Sequence, residues 1–144
     1  MTDKVQPIID AFRTALISAG FRYVEQYSVD AINGMGANKP AILLLPESID
    51  GEMGQAEYTC DMSLKVIVYD NIRYNRIKNL TVNINKIKTA LYGSSSLGGL
   101  ICSVPSFTVD YGTDGTADDF STAGQNGQET IGSITFILHY REDI

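Results

Sequence analysis

The chain has no tryptophan, a single histidine and two cysteines in 144 residues. With His139 alone, neither a multi-histidine metal site nor a paired-histidine relay can be built. Cys60 and Cys102 form no Cys-x-x-Cys pair, and Cys60 falls on an apolar strand face. Both are therefore expected as buried free thiols rather than as a disulfide or a metal pair. Eight tyrosines without a tryptophan favour neither nucleic-acid stacking nor a glycan cleft. Long apolar runs are missing too. The longest aliphatic run, Ala41-Ile42-Leu43-Leu44-Leu45, falls far short of the ~20 residues that span a bilayer. Met1-Thr2-Asp3-Lys4 lacks the basic-then-apolar layout of a signal peptide, so the expected setting is cytosolic, at least during synthesis, with no membrane partner. Positive charge is in deficit: 11 Lys and Arg stand against 17 Asp and Glu, a formal net charge of −6, which sets nucleic acid aside as a specific partner.

Catalytic motifs are absent as well. No Gly-x-Ser-x-Gly elbow accompanies the one histidine, and the Gly- and Ser-rich stretch 93–99 lacks the Gly-Lys-Ser/Thr ending of a phosphate-binding loop. Asp114, Asp118 and Asp119 form the one acidic cluster that invites calcium, but their spacing does not match an EF-hand loop, and they read as solvating loop carboxylates. The expectation is a non-enzyme with no cofactor and no metal.

What is present is a strand running into a long amphipathic helix, across residues 58–92. Tyr58, Cys60, Met62, Leu64, Val66 and Val68 alternate with Thr59, Asp61, Ser63 and Lys65, the period-two pattern of a half-buried strand. The chain turns at Asp70-Asn71, either of which can serve as N-cap. Ile77, Leu80, Ile84, Ile87 and Leu91 then recur at spacings of three and four, one helical stripe, and Gly93 can supply the left-handed end. An earlier helix starts near Thr2 or Asp3, tolerates Pro7 in its opening turn, and turns Val5, Ile8, Phe12, Leu16 and Ala19 inward with Ile9 beside them. Gly20 and Phe21 carry the signature of a Schellman ending.

Between these helices, Phe21, Tyr23 and Glu25-Gln26-Tyr27 read as a short strand, 33–38 as a turn or loop, and 41–45 as a buried strand between Pro40 and Pro46. The connection 47–57 is longer than a hairpin needs and is expected to project. Beyond the second helix, 100–111 is extended and broken at Pro105, which marks an edge or a bulge, with Phe107, Val109 and Tyr111 on one face. A polar loop at 112–130 leads to a closing strand in which Ile134, Phe136, Leu138 and Tyr140 alternate. The predicted fold is a single α+β domain over 1–144: one mostly antiparallel, mixed β-sheet, two α-helices packed against it, and projecting loops at 47–57 and 112–130.

Charge is segregated along the chain. Residues 71–92 carry Arg73, Arg76, Lys78, Lys86 and Lys88 without an acid. Residues 93–140 carry Asp110, Asp114, Asp118, Asp119 and Glu129 without Lys or Arg. On a helical wheel Lys78, Val82 and Lys86 line the face opposite the apolar stripe. Arg73, Arg76, Lys78 and Lys86 are thus candidate partner contacts, and so are Asp114, Asp118 and Asp119. An ordinary solvated face is the competing reading. In a ring of identical subunits the basic helix of one copy would meet the acidic loop of the next.

The order of elements resembles that of the tail terminator (tail-completion) proteins of long-tailed bacteriophages. The resemblance rests on Lys39-Pro40-Ala41-Ile42-Leu43-Leu44, Leu64-Lys65-Val66-Ile67-Val68-Tyr69-Asp70 and the helix end Ile84-Asn85-Lys86-Ile87-Lys88-Thr89-Ala90-Leu91. The terminal Ile134-Thr135-Phe136-Ile137-Leu138-His139-Tyr140-Arg141-Glu142 completes it. It covers nearly the whole chain as a pattern of elements, without an invariant motif. It implies a structural subunit of a hexameric ring at the head-proximal end of the tail tube, which ends tube polymerisation and offers the surface for head–tail joining. The implied partners are copies of the chain itself, the tail tube protein and a head connector or neck protein; the implied location is the virion, after assembly in the host cytoplasm. The alternatives are another neck or connector component, or a small cytosolic adaptor that binds a peptide along a sheet edge.

Overall fold

A computed structural model describes residues 3–36, 38–70, 76–92, 97–102, 105–112 and 130–143. In chain order the elements are α1 (Val5–Ser18), β1 (Tyr23–Gln26), α2 (Val29–Gly34), β2 (Ala41–Met53), β3 (Glu57–Asp70), α3 (Arg76–Tyr92), β4 (Ser106–Asp110) and β5 (Thr130–Asp143). The five strands form one sheet in the order β1-β2-β3-β5-β4, parallel between β1 and β2 and antiparallel elsewhere. The fold is α+β, with a mixed, mostly antiparallel sheet as its alternation patterns require.

The α1 helix buries Ile8, Ile9, Phe12 and Leu16. It begins at Val5, slightly later than its sequence pattern indicates, and the Asp3 carboxylate accepts the Val5 N–H at 2.9 Å. Its end is the Schellman turn foreshadowed by Gly20-Phe21. Gly20 has φ +106°, Gly20 N–H reaches Ile17 O at 3.0 Å, and Phe21 N–H reaches Leu16 O at 3.3 Å. Both long helices lie on one face of the sheet and share a core with Met62, Leu64, Val66, Val68, Ile134 and Leu138. From α3, Leu80, Ile84, Ile87 and Leu91 join this core. Each large aliphatic side chain so buried contributes ~1.5–3 kcal/mol.

The stripe meets the sheet first at Leu80. There Gly132 leaves the needed room, since a Cβ on it would stand 2.9 Å from Leu80 Cδ1 and 3.1 Å from Asp110 O. Ile77, one turn earlier, is 62% exposed and does not belong to the stripe as expected. As a helix cap, Asp70 would serve backbone groups that lie outside the described residues. It closes β3, is buried, and its Oδ2 accepts Asn83 Nδ2 at 3.0 Å, so a side chain in the middle of α3 is tied to the end of the strand. Asn71 and Gly93, the other expected caps, lie outside the described residues.

A third, short helix, α2, fills the unassigned stretch after the first strand and runs into the start of the expected 33–38 loop. Ser28 Oγ accepts the Ala31 N–H at 3.0 Å and so caps α2, while Tyr23 donates its hydroxyl to Ala31 O at 2.7 Å. Ala31 and Met35 then cover the opposite face of the sheet, packing with Ala41, Leu43, Ile67, Tyr69 and Ile131 in a second apolar cluster. Six residues are too few to show a helical period, and the Asn33-Gly34 pair at the end dominates the local pattern.

The 47–57 connection is mostly strand. After a bulge between Pro46 and Ser48, β2 continues to Met53 paired with β3, and the turn closes with Gly54 N–H on Glu57 O at 2.8 Å. Pro46 is tolerated at that bulge because the ladder is already interrupted there. The far end of the sheet is thus a three-stranded ribbon of β2, β3 and β5. The edge strand β4 does carry Phe107, as Pro105 foretold. Most of the 112–130 loop lies outside the described residues.

Candidate functional site

Among the described residues no group of three or more His, Cys, Asp and Glu side chains could hold a metal ion, and no helix is long and apolar enough to cross a membrane. His139 faces the polar side of the ribbon, as its alternation dictates, where its Nδ1 meets Asp61 Oδ1 on the neighbouring strand; both side chains are about half exposed. The cysteines differ from each other, against expectation. Cys60 is buried and Cys102 is exposed, because Cys102 sits outside the sheet with its N–H on His139 O at 2.7 Å. Cys60 lies directly across the ladder from Tyr140. Burial pushes the Cys60 thiol up from its ordinary 9.0, opposed by the adjacent Tyr140 hydroxyl and aided by Glu142 and Asp61. Burial also pushes the Tyr140 phenol well up, helped by Cys60, Glu142 and Asp3. The Tyr140 hydroxyl has no hydrogen-bond partner among the described residues.

The surfaces with binding geometry are three. The first is an open groove of about 980 Å³ between α1 and α3. Ala11 and Ala15 on α1 and Ala19 at its C-cap recur every four residues, and their small side chains leave the groove unfilled. Val82, Lys86 and Leu97 complete the walls. The second is a hollow of about 420 Å³ beside the edge strand, between Leu91, Tyr92, Pro105, Phe107 and Phe136. Tyr92 is 80% exposed there. The third is the ribbon, whose β2 half is exposed throughout residues 47–53.

Of the residues singled out by charge, Lys78 and Lys86 are exposed on α3. Lys86, however, does not stand clear of the fold. Its Nζ lies 4.6 Å from the Phe21 ring centroid, so this helix face turns toward the end of α1 rather than away from the core. Lys88 makes the matching contact on the other flank, 5.1 Å from the Phe107 ring centroid. Arg76 opens α3, but its side chain, and Arg73, Asp114, Asp118 and Asp119 altogether, lie outside the described residues. Sequence reading missed the open β2 edge. The signal was there, because Ile49, Gly51 and Met53 alternate with Ser48, Asp50 and Glu52, but Pro46 and Gly51 disguise it as a loop. No protein-family model matches this chain, and no curated protein matches it in sequence.

Proposed function

We propose that this chain is a non-enzymatic, ring-forming structural subunit of a phage tail, of the tail-terminator kind. The observation that carries the reading is the ribbon. The ribbon is covered on one face only, and its β2 rim presents Ile49, 46% exposed, and Met53, 78% exposed, an arrangement suited to reaching a neighbouring subunit. The element order agrees with the tail-terminator pattern, and the groove between α1 and α3 offers a second apolar seat. In this role the chain would meet copies of itself, probed first as a hexamer, together with the tube protein below and the connector or neck protein above. It would act within the virion, without a cofactor.

The test is the mass of the purified chain, measured by light scattering across a concentration series, with negative-stain images of the same sample. The reading expects closed rings. A monomer that persists at the highest concentration, and that purified tail tubes do not bind, would remove it.

A further inference from the structure

The β1 strand covers β2 only at Ala41–Leu44, and past the bulge no strand lies against the outer side of 48–53 among the described residues. The direction of its backbone groups follows from the ladder. The His139 carbonyl accepts from Cys102, so it points away from β3. In an antiparallel ladder that makes Asp61, opposite His139, turn its N–H and C=O toward β2 and bond with Asp50. Ile49, Gly51 and Met53 are then left with N–H and C=O groups directed outward. The turn agrees, because Gly54, one place on, points its N–H inward to Glu57.

The two faces of this edge differ in chemistry. Ile49 and Met53 stand beside Met62 and Tyr58 on the face that carries the main core. On the other face Asp50 lies directly opposite Asp61, a like-charge pair that a strand ladder disfavours. Asp61 has His139, and Glu47 has Lys65 at 3.7 Å. Asp50 and Glu52 have no cation among the described residues. The stretch carries neither proline nor lysine, the residues that commonly blunt an edge. Its carboxylates would repel a second copy of the same strand, which argues against self-pairing there.

We propose that the outer edge of β2, residues 48–53, binds an extended segment of a partner protein in which apolar residues alternate with lysine or arginine. Backbone groups of that segment bond with Ile49, Gly51 and Met53. Its apolar side chains lie on Ile49 and Met53, and its cations face Asp50 and Glu52. The inference goes beyond the tail-ring reading and stands or falls separately from it.

The experiment uses the full chain and three labelled, end-blocked synthetic peptides, read by fluorescence anisotropy. One alternates valine with lysine, one has the same composition with the lysines in a block, and one alternates valine with glutamate. The alternating lysine peptide is expected to bind best and to weaken in high salt. Gly51→Pro removes an outward N–H while sparing the β3 ladder, and should weaken binding about tenfold. Asp50→Asn with Glu52→Gln should weaken it comparably, and serves if the proline variant melts early. Equal binding of the blocked peptide, equal binding to both variants, or no binding at all overturns the proposal. So does a wild-type oligomer that Gly51→Pro dissociates, because a second copy would then fill the edge. A monomer that binds the alternating peptide upholds this inference while removing the ring.

Discussion

At one end of the sheet Val66, Ile67, Val68 and Tyr69 are buried in succession, whereas at the other end Cys60 and Met62 are buried but the alternating Thr59, Asp61 and Ser63 are not. Both stretches belong to β3, and both alternate in space. The difference lies in what covers them. At the first end the long helices lie on one face and α2 on the other, so two apolar clusters meet through the same strands. In the ribbon one face is covered and the other is wet, and β2 at its rim has little cover at all. A strand's burial pattern therefore reports the layers around it. The ribbon is the end where a partner could still add a layer.

This contrast can be broken by substitution. Ile84→Ala, at the centre of the α3 stripe and 1% exposed, should cost ~2–5 kcal/mol, because the cavity it leaves cannot refill from solvent. Urea melts measure it, and a loss under about half a kilocalorie would mean that the stripe faces water. Asn83→Ala should cost ~1–3 kcal/mol, since it strips a donor from the buried Asp70 carboxylate. Were it neutral, the tie between strand end and helix would carry no weight.

The Cys60–Tyr140 pair in the ribbon predicts a pH dependence. Both groups are raised above their ordinary 9.0 and 10.0, so the folded state holds these protons longer than the unfolded chain does. Their stabilising effect is complete below those values and is lost as pH climbs above them, with a slope of at most ~1.4 kcal/mol per pH unit for each group. Melting temperature should therefore stay level through pH 8 on account of this pair and fall from about pH 9 upward. Cys60→Ala with Tyr140→Phe should flatten that fall, and an unchanged profile in the double variant would assign it elsewhere. The smallest effect belongs to the ribbon rim. Met53→Ser should shift stability by no more than about 0.5 kcal/mol, and a larger loss would show that the rim is packed in solution.

Much of the body was legible in the sequence. The α1 stripe and its Gly20-Phe21 ending, the alternation in β3 and β5, and the edge character of the segment after Pro105 all depend on local spacing and backbone chemistry. The α2 helix was not, because one capped turn gives no period and its stability comes from Ala31 and Met35 packing on a distant strand face. The ribbon was half legible: alternation over 48–53 is in the sequence, but a bulge after Pro46 shifts the register by one and hides its continuity with 41–45. For the candidate contacts, charge segregation named the basic helix, yet only the fold shows Lys86 resting on Phe21.

By itself the sequence determined the two long helices, the strands with a clear period and which side of each is apolar, because those follow from periods of two and 3.6 residues and from glycine and proline geometry. Tertiary structure alone decided which faces are covered and which edge stays open. Ile77 and Leu80 carry the same local signal, yet in the fold Leu80 is seated against the sheet at Gly132 while Ile77 stays 62% exposed. Asp70 and Asn83, 13 residues apart, became partners for the same reason: a strand end and a helix centre meet only after the helix has packed on the sheet.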